Sequence, residues 1–440
     1  MAGRVLVIGG GPGGIAAASA AASNGAEVTL ITDGPLGGGW ETLLAGKLLL
    51  QASRSTPRPS HSNDQLALQQ CWTRHRAIVD TWRSRQHDAL RDRQVRLVKG
   101  VARFETPCKL NVERADGHFV LEGDAIVVAV GATPIFPPSL TPDGVRVWAP
   151  HLIHKLPALP ESIIVVGGGA PAAEYADAFS ALNVAVTWLI AAEKDVLPFF
   201  PRAAVDYLLK RLQQRGVNLV SGYWVSSIRT LGDHVRVTTR ESRLFEADHA
   251  LVCLGHGPDF DRLNLEAAGL QPDSAGRFET DGYGRIAGTS HIYLVGDAAR
   301  PISANTAMVQ GRTAGLHAAG ADCHPADRLP VVIPIYTRPA IAQVGLTSAD
   351  KPEIHSCRIA YDHTLQAYLL GEEGWLELFY DEEKRVVGGF AVGMQAAQIV
   401  SQIALAVRSE TTLHQLADVF VAHPTLSELI FMAGREAIGY

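Results

Sequence analysis

The sequence predicts an α/β chain in which two βαβ units with parallel strands precede a third, α+β region. Three observations predict it. Apolar, β-branched runs of the kind found in strands buried on both faces occur at Arg4–Ile8 and Ser162–Val166. Each leads straight into a glycine cluster and then into an alanine-rich helical stretch. Beyond about residue 330, residues 374–378 and 387–390 read as hairpin strands, and Ala396–Arg408 reads as a helix.

Size and composition agree with this. A chain of 440 residues has room for about three domains, each with its own core. A composition 47% hydrophobic and 19% charged, with 42 glycines, suits a glycine-punctuated α/β protein. The net charge is −6 and no lysine/arginine cluster occurs, so neither a nucleic acid nor an anionic membrane is an expected partner. Every apolar run is interrupted before roughly 18 residues, so no membrane span is expected. Arg4 and the apolar residues after it imitate a signal peptide, but the glycines at positions 9–14 would break its helix, and a cytoplasmic location is expected. The cysteines, Cys71, Cys108, Cys253, Cys323 and Cys357, form no CxxC or CxxxxC pair and read as structural, Cys253 as buried and inert. No His/Cys cluster has metal-ligand spacing, and no metal is expected.

After the first strand, Gly9-Gly10-Gly11-Pro12-Gly13-Gly14 fits GxGxxG at Gly9, Gly11 and Gly14, and residues 15–23 are helical by composition. The glycines let the backbone turn tightly and approach a pyrophosphate, whose charge would rest on the helix N-terminus. A second strand follows at residues 27–31. An acidic residue that accepts the ribose hydroxyls is expected next. Thr32 occupies that position and Asp33 follows it, so either Asp33 acts from one residue on or Thr32 makes a weaker bond.

The stretch Leu36-Gly37-Gly38-Gly39-Trp40, continuing to Lys47, makes a resemblance specific. The chain resembles the flavoprotein family of lipoamide dehydrogenase, glutathione reductase and mercuric reductase, the pyridine nucleotide-disulfide oxidoreductases. Members carry G-G-T-C-x-x-x-x-C-x-P-S-K here, and its cysteines form a redox disulfide. With Lys47 matched to the family lysine, this loop is two residues shorter, Trp40 replaces the first cysteine, and the second falls in the deletion. Thiol–disulfide exchange needs two sulfurs, and neither is present, so that chemistry is excluded at this loop. Trp40 either fills the vacated volume by packing or forms an aromatic wall for a planar substrate near the flavin. Gly37 and Gly38 belong to the implied flavin site.

Residues 64–93 have helical spacing with Leu66, Leu68, Trp72, Ile78, Val79 and Trp82, and His61, His75 and His87 read as solvated surface groups. Residues 95–104 and 123–130 read as strands that close the first domain. The run from Ala129 through Gly131 to Pro134 resembles the family's A-T-G-S-x-P, a close backbone approach to the flavin nucleotide.

The second glycine cluster, Gly167-Gly168-Gly169-Ala170-Pro171-Ala172, lies about 160 residues after the first, as a flavin site followed by a nicotinamide site requires. Gly167, Gly169 and Ala172 are its motif positions. The next strand ends without a selecting carboxylate or arginine. Glu193 is the nearest candidate, and NAD is slightly preferred over NADP. Glu174 matches the glutamate that pairs with the family lysine, here Lys47. A buried ion pair needs both members, because an orphaned buried charge is costly.

Residues 250–258 resemble the strand before the family's G-R-x-P-N turn, with His256 in place of the arginine, and residues 290–298 resemble the second flavin fingerprint, in which Asp297 would bond the ribityl chain. Residues 336–347 resemble the opening of the dimerisation domain. His423-Pro424-Thr425-Leu426-Ser427-Glu428 matches H-P-T-x-x-E, whose histidine reaches the partner's flavin as acid/base while the glutamate orients it.

The resemblance implies FAD and, less firmly, NAD(P)H as cofactors and a homodimer. It implies a flavin-binding domain over 1–155 and 258–327, an NAD(P)-binding domain over 156–257 and a dimerisation domain over 328–440. The expected activity is hydride transfer between flavin and a small non-disulfide substrate, quinone-like or otherwise conjugated. Two other readings stand beside it: a catalytically degenerate FAD-binding dimer with an assembly role, and disulfide chemistry through distant cysteines such as Cys323 and Cys357.

Overall fold

The computed structural model describes residues 3–55, 61–300, 303–348 and 351–440, with side chains described throughout these ranges except at 53–67. The chain divides into two compact units: Met1–Glu41, Arg76–Ile135 and Gly255–Leu329 in the first; Thr42–His75, Phe136–Leu254 and Pro330–Tyr440 in the second.

In the first unit, Arg4–Ile8 is the centre of a five-stranded sheet, and every pairing in it is parallel. Its neighbours are Glu27–Thr32 on one side and Ala125–Val128 on the other, and Arg96–Lys99 and Ile292–Leu294 form the edges. Val5, Val7, Leu30 and Val127 are fully buried, which explains the unbroken apolar runs. The helices Pro12–Ser23 and Ala304–Ala318 pack on each other. Gly311 and Gly315 make this approach possible: a Cβ there would lie 2.0 Å from the carbonyl oxygen of Gly13 and 2.2 Å from that of Ala17. A three-stranded antiparallel sheet, Val101–Thr106, Lys109–Arg114 and Gly117–Glu122, completes the unit.

The second unit holds another parallel five-stranded sheet, ordered Asn218–Ser221, Ala185–Ile190, Ser162–Val166, His249–Val252 and Val147–Trp148. The helix Ala170–Ala181 follows its central strand. The same unit contains an antiparallel five-stranded sheet, Ile333–Ile335, Ile341–Gly345, Val386–Val392, Trp375–Tyr380 and His355–Ala360. The helices Ala396–Arg408 and Glu428–Ala437 share its core, with Ile399, Ile403, Leu429 and Ile430 buried. Two Rossmann-type sheets and a C-terminal α+β region are thus the architecture.

Three local expectations are corrected. The stretch read as a loop up to Lys47 is helical from Trp40 onward, in the helix Trp40–Ser55. Its Glu-Thr-Leu-Leu-Ala composition favours helix once the glycines have turned the chain. The segment read as one strand over 95–104 breaks at Gly100, whose amide bonds Thr32 O at 3.0 Å. The strands on either side of Gly100 join different sheets. His75 is not a surface group but buried, its ring stacked on that of His154 at 5.5 Å between centroids. His87 is exposed; the side chains of His61 and Leu66 lie outside the described residues.

The glycine contact between the two helices yields a prediction. Gly311→Ala should force the helices apart and lower stability by about 1–3 kcal/mol, measured by urea denaturation, with the midpoint moving and the slope unchanged. Equal stability of the variant would show that the helices are not packed backbone to backbone.

Candidate functional site

Both glycine clusters end in helices of one design. Gly11 is the N-cap of Pro12–Ser23 and Gly169 that of Ala170–Ala181, each with a proline in the first turn and no side chain capping the amides. A Cβ built on Gly11 would meet nothing within 4 Å, and one on Gly169 would meet only Pro171 Cδ, at 3.7 Å. No side chain caps the first-turn amides of either helix, the condition under which a helix N-terminus takes an anion such as a pyrophosphate. Gly14 is required for the tight turn, since a Cβ there would fall 1.9 Å from Gly9 O. At the matching position of the second cluster Ala172 is accommodated, fully buried. The residues present fit two dinucleotides.

The ribose-selecting positions are already engaged. The Thr32 hydroxyl donates to Gly34 O at 3.0 Å, and Asp33 Oδ2 accepts from Arg262 at 2.6 Å. Arg262 was not visible as a site residue, because 229 positions separate the pair. Glu193 opens a single 3-10 turn beyond its strand; it is exposed, and its Oε1 accepts from Ser221 Oγ at 3.4 Å. Gly131 has φ +73°. Asp297, in the short turn Gly296–Ala298, is partly buried. Desolvation raises its carboxyl above the usual range, against a smaller opposing effect of His256.

Gly37 and Gly38 take φ of +95° and +48°, and the Gly37 amide bonds Gly10 O at 2.7 Å. Trp40 lies directly on the Gly37 backbone, so a Cβ at Gly37 would sit 2.1 Å from its ring. The Trp82 ring meets it in a T-shaped contact, 5.8 Å between centroids. Trp40 packs on the Gly37 backbone and is partly buried.

Lys47 and Glu174 form the ion pair that the sequence implied, at 3.2 Å and mostly buried. Its surroundings were not foreseen. Glu174 Oε1 also accepts the Tyr336 amide at 2.9 Å, and the Lys47 ammonium lies 4.6 Å from the centre of the Tyr336 ring. One turn along the same helix, the wholly buried Asp177 takes Arg215 at 2.9 Å and the Arg338 amide at 2.8 Å.

His423 Nδ1 is 2.8 Å from Glu428 Oε1, and Glu428 Oε2 accepts the Thr425 amide at 2.9 Å. An ionised carboxylate only accepts, so Nδ1 carries the proton and Nε2 is left to take one up or give one away. The imidazole is exposed. Burial pushes the Glu428 carboxyl up, but the bonds from His423 and Thr425 and the charge of His423 outweigh it and hold it below the ordinary value.

All five cysteines are free thiols. Burial pushes Cys71 up to about 11, raises Cys253 further, and also raises Cys323 and Cys357. Among the described residues no cluster of His, Cys, Asp and Glu could hold a metal ion, and no helix is long and apolar enough to cross a membrane.

Comparison with known proteins places these features. The family model described as pyridine nucleotide-disulphide oxidoreductase matches residues 3–311, and that of its dimerisation domain matches residues 331–433. An NAD(P)H dehydrogenase (quinone) of Mycobacterium tuberculosis is 30% identical over 467 residues, covering 99% of this chain and 94% of that protein. A dihydrolipoyl dehydrogenase of Haloferax volcanii is 28% identical over 460 residues, covering 99% and 96%. The crystal structure of LpdA from Mycobacterium tuberculosis superposes with a TM-score of 0.91 at 28% identity, covering 99% of each chain.

The Glu428 geometry gives a pH prediction. A carboxyl whose folded pKa is depressed contributes stability that is present above its unfolded pKa, about 4.3, and lost as pH falls through the lower folded value. The Glu428 carbon resonance should therefore titrate below the ordinary glutamate range in NMR, and His423→Ala should move it upward. An unmoved midpoint in the variant would refute the pairing.

Proposed function

The chain belongs to the pyridine nucleotide-disulphide oxidoreductase family, and from that premise we propose that it oxidises NAD(P)H and delivers the reducing equivalents to a small quinone-like or otherwise conjugated acceptor, with no redox disulfide between them. Members of this family use FAD and NAD(P)H. FAD, when bound, supplies the hydride chemistry that links the two substrates. In this reading 1–155 and 258–327 form the FAD-binding domain, 156–257 the NAD(P)-binding domain and 328–440 the dimerisation domain of a homodimer.

One observation carries the proposal. The segment from Leu36 to Lys47 contains no cysteine, while the Lys47–Glu174 and His423–Glu428 pairs are formed at 3.2 and 2.8 Å. Thiol exchange without sulfur is impossible, yet the charged and acid/base groups are kept in working geometry. Gly11 and Gly169 mark the helix ends that would hold the two pyrophosphates. Lys47, fixed by Glu174, supplies positive charge toward an anionic partner. Nε2 of His423 exchanges a proton with the acceptor, and Glu428 fixes the tautomer that leaves that nitrogen available. Trp40 is a wall of the acceptor site. The quinone activity named for the Mycobacterium tuberculosis relative supports the choice of acceptor.

The enzyme should oxidise NADH or NADPH with quinones in the absence of any disulfide. His423→Ala should slow quinone turnover by about a hundredfold or more, whereas replacing Cys323 and Cys357 together by serine should leave it intact. Unreduced flavin after anaerobic addition of either nicotinamide would sink the electron donor. A His423→Ala enzyme with undiminished turnover would sink the acid/base assignment.

A further inference from the structure

The segment that leads into Trp40 is held at both ends by one side chain. Arg83 Nε donates to Leu36 O at 3.2 Å, and its Nη2 donates to Glu41 Oε1 at 2.7 Å. These two acceptors bracket Gly37, Gly38, Gly39 and Trp40, the stretch with two positive-φ residues. The guanidinium is largely shielded, with 22% of its side chain exposed, and a more distant contact to Asp80 at 3.9 Å adds charge on its own helix. The preceding residue, Trp82, makes a T-shaped contact with Trp40. The helix His61–Asp92 thus grips the segment with consecutive side chains, one polar and one aromatic.

Each grip does something different. Three glycines in succession have large backbone freedom, which folding must remove. Two guanidinium bonds to points five residues apart remove it, because Arg presents several donors in a rigid planar fork. The T-shaped contact with Trp82 then fixes the remaining freedom, the tilt of the Trp40 ring over the Gly37 backbone.

We propose that Arg83 is a positioning residue that fixes the orientation of Trp40, and through it the size of acceptor the enzyme accepts. The inference rests on the reading of Trp40 as a wall of the acceptor site. It adds a residue for which the sequence offers no motif, and it assigns to a charged clamp the holding of a segment that elsewhere in the family a disulfide crosses.

The test compares kcat/KM for para-benzoquinone and for the larger menadione in three variants of the full-length, FAD-loaded protein. Trp40→Phe should change the ratio of the two values, because it alters the wall itself. Arg83→Met should change that ratio by about tenfold, through a higher KM for one quinone rather than a common fall in kcat. Glu41→Gln keeps an acceptor for the guanidinium while removing the charge, and should change the ratio in the same direction by less. Thermal melting of each variant separates the two kinds of failure. If Trp40→Phe leaves the ratio alone, Trp40 is not a wall and the inference falls with that reading. If Trp40→Phe changes it while Arg83→Met lowers only the melting temperature, Arg83 is a structural anchor and the inference alone is overturned. Should Arg83→Met fail to fold, an unchanged ratio in Glu41→Gln overturns it equally.

Discussion

One carboxylate, that of Glu174, holds together the part of the second unit on which the proposed chemistry depends. Its two oxygens serve different segments: Oε2 takes the Lys47 ammonium and Oε1 the Tyr336 amide. Tyr336 in turn offers its ring face to the same lysine. Lys47 therefore has two constraints, the Glu174 carboxylate and the Tyr336 ring, and little freedom to turn toward solvent. Asp177, three residues along the helix and itself wholly out of water, repeats the arrangement with the partly exposed Arg215 and Arg338. Ions buried this way stabilise little in net terms, because desolvation offsets most of the attraction. Their effect is on geometry: a helix carrying two such carboxylates admits only one placement of the chain at 336–338 against it.

The segment before Trp40 reaches the same end around a guanidinium about as shielded as the Lys47 ammonium. A disulfide would restrict such a segment by a covalent closure whose effect lies mostly in the unfolded chain. Here the restriction is non-covalent and belongs to the folded state: turns at Gly37 and Gly38, the Gly37–Gly10 hydrogen bond, the indole resting on bare backbone, and Arg83 at both ends. These interactions are local to the first unit and independent of redox conditions. Trp40 is partly buried and packs against the cluster containing Ile15, Val28 and Leu90.

Much of this was legible because it is local in sequence. The glycine clusters, their flanking strands and the Pro-initiated helices follow from a few adjacent residues, whereas the pairing of His423 with Glu428 was implied by the resemblance to H-P-T-x-x-E. Lys47–Glu174 was reached through resemblance, not through spacing, as the two lie 127 residues apart. Arg262, Tyr336 and Arg83 were missed for the same reason: nothing near a long-range partner in sequence announces it. His75 is a different case, because Leu68, Trp72, His75 and Val79 recur at the three- and four-residue spacing of one buried helix face, and all four are buried. The periodicity marks this burial, although histidine is not among the residue types most often buried. Asp177 had the same signature beside Ala173 and Ala176.

The two dinucleotide-type sites share the place where their selectivity can lie. Both helix N-termini offer bare amides, so neither distinguishes one pyrophosphate from another. Discrimination must come from the strand ends, and there each carboxylate is already oriented by a neighbour, Asp33 by Arg262 and Glu193 by Ser221. In each case one oxygen is bonded, and among the described residues the other has no hydrogen-bond donor. A carboxylate fixed by one oxygen can accept a hydroxyl with the other without first losing rotational freedom, which makes such a pair a better acceptor than a mobile side chain. The departures from the expected positions, one residue at Asp33 and a few at Glu193, are thus compatible with hydroxyl recognition. A guanidinium beside Asp33 also lowers the electrostatic cost of bringing its carboxylate near a pyrophosphate, a cost that Glu193, with only a hydroxyl for company, does not offset.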